Sequence, residues 1–289
     1  MSSNKRKSIP SKVKEILRRE VGFGCPVKGC GNPYLEYHHF DPPVNVKSHN
    51  EPKGMIALCA QHHKKADGNV YTIEQLHQLK KDKYNAKLVK GNLDWLRRDL
   101  LAVVGGVFYY EIPVLVCIDE HEVIALKRDN EGYLRLSVNM LSILSEERII
   151  IDSNSWENIG KPVDLRSPPQ GKELEIKYYN GDYLYLRFLE LLSADEATAR
   201  YDQNFFYNNS DINFPITVVE VNMSIGGTNI NFKPLETTLG SNTIKGGLMS
   251  HCGMGLGLQN TGLSWLQNPI WNLQSRVTPV EGTNVIKAR

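Results

Sequence analysis

Apolar positions recur at helical spacing in the first third of the chain and at strand-like spacing afterwards. Val13, Ile16 and Leu17, with Ser11 as N-cap, predict a short helix behind a basic tail. From Gly22 to Pro52 the chain is rich in Gly, Pro, Asn and His, and residues 34–40 form its one strand-like run. Residues 55–66 read as a short helix ended near Gly68. Thr72-Ile73-Glu74-Gln75 is a capping box, opening a helix with Leu76, Leu79 and Leu88 on one side and Lys80, Lys81, Lys83, Lys87 and Lys90 largely elsewhere. Gly91-Asn92 interrupts that helix before residues 93–101, and the first domain is expected to end near Val104-Gly105-Gly106.

Beyond that point the texture changes. Residues 109–118, 121–126, 133–140, 148–151, 173–178, 183–191 and 216–225 carry β-branched and aromatic residues between turn signals, of which Tyr179-Asn180-Gly181-Asp182 is the clearest. The C-terminal stretch is rich in Gly and Asn, with no repeat of fixed period. Two domains are therefore expected: residues 1–104, with a basic start and a helical extension, and residues 107–289, an all-β sandwich or curled sheet.

Composition narrows the class. With 41% hydrophobic and 23% charged residues among 289, the chain reads as globular rather than disordered or fibrous. No apolar run is long enough for a membrane span, and the basic start lacks the apolar segment of a signal peptide, so a cytoplasmic protein without a membrane partner is expected. The net charge of +2 conceals an asymmetry: residues 1–100 hold 19 basic and 10 acidic side chains, and the remainder hold 15 and 22. The basic part suits a polyanion, although a solvated lysine-rich helix would give the same count.

Five cysteines in such a chain do not suggest a disulfide framework. Cys25-x4-Cys30 and Cys59-x2-His62 instead form two pairs of soft ligands, with a histidine-rich insertion between them. Two such pairs can close a tetrahedral zinc site, and a segment with so little apolar material needs an ion to fix its loops. A site of three cysteines and one histidine is closed and does no chemistry. His38 and His39 point to opposite sides of a strand, while on a helix His62 and His63 diverge by about 100°. His62 can thus face the zinc while His63 faces a second site.

The string Cys25-Pro26, Cys30, Leu35-Glu36-Tyr37-His38-His39-Phe40 and Leu58-Cys59-x2-His62-His63 resembles the HNH endonuclease family over roughly residues 20–85. That resemblance implies an α+β two-domain chain: an N-terminal ββα-metal (HNH) zinc-stabilised module with flanking helices, and a C-terminal all-β sandwich-like domain. It implies that His38 and His63 hold the catalytic divalent ion and that His39 is the general base. Structural zinc falls on Cys25, Cys30, Cys59 and His62. Two departures stand out. The second knuckle ends in His62, where cysteine is usual, and Gly54 occupies the usual place of the motif asparagine. Asn50, with Asn45 and His49 as alternatives, is expected to replace that asparagine from the loop.

The chemistry suits these residue types. Imidazole accepts protons near neutral pH, and an ion with few protein ligands keeps positions open for a phosphate; Mg²⁺ would serve, while Mn²⁺, Ni²⁺ or Co²⁺ suit imidazole better. The resemblance implies products with 5′-phosphate and 3′-hydroxyl ends. Lys5, Arg6, Lys7, Lys12, Arg18, Arg19, Lys64 and Lys65, with Lys14 and the lysines after Thr72, are the candidate phosphate contacts. The expected function is a metal-dependent DNA endonuclease, with a β domain that senses a protein or ligand or chooses a target, an arrangement resembling bacterial anti-phage or restriction effectors. The alternatives are a zinc-stabilised nucleic-acid-binding protein without efficient cleavage, and a β domain that is itself the functional centre.

Overall fold

The computed structural model describes residues 8–259 and 285–287. Along the chain run α1 (Ser11–Glu20), β1 (Leu35–His39), β2 (Met55–Cys59), α2 (Ala60–Asp67) and α3 (Ile73–Lys81). Then come β3 (Lys90–Asn92), β4 (Leu101–Val104), β5 (Val107–Tyr110), β6 (Val114–Ile118), β7 (His121–Arg128), β8 (Leu134–Asn139), β9 (Ile150–Asp152), β10 (Ser155–Glu157), β11 (Asp164–Arg166), β12 (Glu173–Lys177) and β13 (Tyr183–Leu191). Last are α4 (Ala194–Tyr201), β14 (Ile216–Ile225), β15 (Ile230–Lys233), β16 (Glu236–Leu239), β17 (Asn242–Ile244), β18 (Leu248–Ser250), β19 (Met254–Gln259) and β20 (Val285–Lys287).

Two large sheets organise the described residues. One has the order β20-β19-β6-β7-β8-β9-β10-β3; the other runs β11-β12-β13-β14-β15-β16-β17, with β4, β5 and β18 attached through β14. Strand β14 is long enough to use both edges: β13 pairs along its whole length, while β4 runs parallel to Val218–Val221 and β15 pairs with Met223–Ile225. The main core draws on both sheets, with Val116, Ile124, Leu136 and Trp156 from one and Leu174, Leu186, Phe188 and Val221 from the other. Helix α4 brings Ala197 and Tyr201 to a second cluster with Phe108, Phe206 and Val218.

This architecture corrects the expected α+β arrangement of an N-terminal ββα-metal module beside a separate all-β domain. The chain is mostly β, and its large sheets take up strands from the part expected to be a helical extension. Helix α3 stops at Lys81, and Leu88 is exposed. Residues 90–92 pair with β10, and Val89, Leu93 and Leu100 enter the main core. Gly91 makes that pairing possible, because a Cβ there would lie 2.7 Å from the Trp156 ring. A helix across this stretch would forfeit the burial of three large apolar side chains, which propensity alone cannot offset.

Three local expectations also change. Residues 55–59 are a strand with every side chain buried, paired antiparallel with β1, and the helix begins only at Ala60. Residues 109–118 are broken into β5 and β6 by Glu111, with φ +50°, and Pro113. Pro10, not Ser11, precedes α1, and no side chain caps that helix. The capping box of α3 holds: Gln75 N donates to Thr72 Oγ1 at 3.2 Å and Thr72 N donates to Gln75 Oε1 at 2.8 Å. Strands β13 and β14 have the bounds expected of them.

Helix α1 is fastened to the larger sheet by a buried ion pair. Arg18 Nε and Nη2 donate to Asp164 Oδ1 and Oδ2 at 2.9 and 2.5 Å, and Nη1 donates to Tyr37 Oη on β1 at 2.7 Å. Both ionic side chains are about 95% buried. Arg18 is therefore not a phosphate contact, which corrects its placement among the nucleic-acid-binding residues. Asp164→Ala is expected to destabilise the protein by about 3–5 kcal/mol in urea denaturation, because it strands a buried guanidinium. No helix among the described residues is long and apolar enough to cross a membrane.

Candidate functional site

The site grows from the β1–β2 hairpin and α2. A tight turn precedes β1: Cys25 N donates to Asn32 O, Cys30 N to Val27 O and Gly31 N to Cys25 O. That turn aims Cys25 and Cys30 at Cys59, the last residue of β2, and at His62 in the first turn of α2. Cys25 Sγ and Cys59 Sγ lie 3.3 and 3.2 Å from His62 Nδ1, and Cys30 Sγ lies 3.8 Å from Cys59 Sγ. Zinc bonds of about 2.3 Å to sulfur and 2.0–2.1 Å to nitrogen require tetrahedral edges of about 3.5–3.8 Å. The four donors fit that ion, and this Cys3His cluster could hold zinc.

The thiols' acidity fits metal uptake as well. Burial pushes the Cys25 thiol up to about 12, and burial also raises Cys30. Both are thiols at neutral pH without metal, so zinc uptake at pH 7 is expected to release about two protons or more. Each such proton weakens apparent zinc affinity as pH falls. Calorimetric titration in buffers of different ionisation enthalpy checks this, and proton-neutral uptake would contradict it.

A second cluster lies on the neighbouring turn of α2. His38 on β1, His63 and Asp67 present donor atoms within 4.8 Å of one another. His38 Nδ1 is 3.0 Å from Asp67 Oδ1, His63 Nε2 is 3.8 Å from it, and the two imidazoles meet edge to face at 5.3 Å. His63 Nδ1 donates to Glu36 Oε2 at 2.7 Å, which leaves the Nε2 lone pair facing Asp67. Burial, then the neighbouring His63, holds His38 below the ordinary imidazole range, so it is a neutral donor at pH 7. Six-coordinate bonds of about 2.1 Å put neighbouring donors about 3.0 Å apart. Three protein donors also leave half of such a shell open.

Asp67 and Glu36 escaped the sequence reading. Their signal was periodic: Asp67 is one helical turn after His63, and Glu36 lies two residues before His38 on the same strand face.

His39, next to His38 on β1, is buried. Its Nε2 donates to His49 O at 2.9 Å, so the basic lone pair sits on Nδ1. His49 in turn ties its own loop: Nε2 donates to Pro42 O at 2.9 Å, Nδ1 accepts from Glu51 N at 3.2 Å, and the two imidazoles pack edge to face at 5.1 Å. The contact to His39 thus comes from His49, one residue before the favoured Asn50. Position 54 is closed to any side chain, since a Cβ there would lie 1.8 Å from Asp41 O and 3.0 Å from His49 Cε1. The His49 ring stands beside the space an asparagine at 54 would enter.

Of the cationic candidates, Lys12, Arg19, Lys64 and Lys65 are exposed, whereas Arg19 also pairs with Glu15 and donates to Val163 O. Lys5, Arg6 and Lys7 lie outside the described residues. Compared with protein-family models, curated proteins and solved structures, the chain matches none of them.

Proposed function

We propose that the chain is a metal-dependent endonuclease, similar to the HNH family, that hydrolyses DNA phosphodiester bonds. The observation that carries this reading is one short hairpin and helix holding a sealed Cys3His cluster, an open His38–His63–Asp67 cluster and, between strand and loop, an imidazole of set tautomer. A structural metal alone needs only the first.

When bound by His38, His63 and Asp67, a divalent cation supplies positive charge to a scissile phosphate and its departing oxygen. His39 Nδ1 takes the proton of the attacking water, and its Nε2–H stays anchored on His49 O. Glu36 fixes His63 by accepting the hydrogen bond of its Nδ1–H, and exposed Lys64 and Lys65 sit on the same helix as His63 to meet neighbouring phosphates. The expected products carry 5′-phosphate and 3′-hydroxyl ends.

His49 positions the base without touching substrate. His49→Ala is expected to lower cleavage about 100-fold, because misplacement of a catalytic group by about 1 Å costs that much. Zinc content should not change, and a variant as active as the wild type would remove His49 from the account.

An end-labelled duplex incubated with Mn²⁺ tests the reading. Wild-type protein should yield strands with 3′-hydroxyl ends, and His63→Ala should leave the label intact while retaining zinc. Retarded mobility on a gel with no cleavage would instead favour a zinc-stabilised DNA-binding protein.

A further inference from the structure

Beside the histidines opens a cleft of about 450 Å³, between the loop after β1 and the segment joining α2 to α3. Its volume lies in the roughly 300–1,000 Å³ range of small-ligand sites. His38, His39 and Asp67 form one end, and the walls include Phe40, Val44, Val46, Tyr71 and Ile73. Two amides, Asn45 and Asn69, add polar edges. Among the described residues, no lysine or arginine lines it.

That lining is unlike a track for a sugar-phosphate backbone, which needs cations and would meet the Asp67 carboxylate instead. It also exposes apolar surface where a charged site would ordinarily be solvated: Val46 is 74% exposed and Ile73 44%. The fitting occupant is uncharged, has apolar faces and hydrogen-bonding edges, and is linked to a phosphodiester that reaches the His38 end. A nucleobase has those properties, and a base stacked inside a duplex cannot enter.

Resting on the nuclease reading, we propose that this cleft receives one unstacked nucleobase next to the scissile phosphate, so that the preferred substrate is DNA carrying an unpaired nucleotide. Apolar walls make the contact tolerant of base identity, as base stacking on side chains generally is. The amides of Asn45 and Asn69 meet the base edge.

The test uses the full-length, zinc-loaded protein without added Mg²⁺ or Mn²⁺, and two DNA duplexes: one fully paired, the other with a single extrahelical 2-aminopurine. Wild-type protein should bind the second about fivefold or more tightly, the lower end of what one stacked base contributes. The 2-aminopurine emission should change on binding. The double variant Val46→Ser/Ile73→Ser alters only exposed positions; it should bind both duplexes alike and leave affinity for paired DNA unchanged. Equal affinity of wild-type protein for the two duplexes overturns the proposal, as does a preference that survives in the variant. Either result leaves plasmid cleavage intact, so the nuclease reading stands or falls separately. Absence of binding to both duplexes together with absence of cleavage sinks both.

Discussion

Cys59→Ala is expected to abolish zinc retention and to destabilise the N-terminal part of the chain by about 5 kcal/mol or more. The apolar cluster there is small: Leu17, Val21, Leu35, Phe40, the β2 side chains, Ala66 and Leu76 are its main buried members. A core of that size rarely supplies more than about 3–5 kcal/mol. A structural zinc contributes roughly 10–16 kcal/mol in small zinc-folded peptides, so the ion outweighs the packing. Cys59 also ends β2 opposite Leu35, so losing its bond frees both the hairpin and the start of α2. None of these residues belongs to the main core, and the two sheets should stay folded. Elemental analysis with limited proteolysis checks the forecast: early cuts before residue 90 and a resistant remainder are expected, and an unchanged digestion pattern would contradict it.

His39→Ala is expected to lower DNA cleavage by about 10²–10⁴, the usual range for removing a positioned general base. The loss should appear in turnover rather than in DNA affinity, because the buried His39 holds a proton and no phosphate. Zinc content should be that of the wild type, since His39 belongs to neither donor cluster. A His39→Ala protein that cleaves at the wild-type rate would assign the base elsewhere.

The Cys3His cluster that could hold zinc was legible because ligand spacing is a local property: four residues of two types, in two pairs, leave few other arrangements. The His62/His63 split was legible for a similar reason, since adjacent residues on a helix diverge by a fixed angle, and the two fall in different donor clusters. Asp67 and Glu36 were hidden among ordinary surface carboxylates, and only the strand-to-helix geometry picks them out. Of the candidates for the place of the motif asparagine, Asn50 with Asn45 and His49 as alternatives, it is the His49 carbonyl that meets His39, because backbone closure by Pro42, His49 and Gly54 sets that loop.

The fold was less legible for non-local reasons. Residues 55–59 pack as a strand because β1 lies alongside, and residues 90–92 do so because β10 and Trp156 lie far along the chain. Helical periodicity cannot report such partners, and tertiary pairing overrode it at both places. Strands β13 and β14 have the expected bounds because their long runs of β-branched and aromatic residues needed no distant partner to be read.

DNA cleavage by the histidine-bearing hairpin, as proposed, should depend on a cation added at the His38–His63–Asp67 cluster. Its most direct test is the conversion of supercoiled plasmid by zinc-loaded, full-length protein, measured with and without added Mn²⁺ or Mg²⁺. Relaxed or linear product that forms only with the added cation is the predicted result. Plasmid that stays supercoiled at every cation concentration, in protein shown to be folded and zinc-loaded, would contradict it.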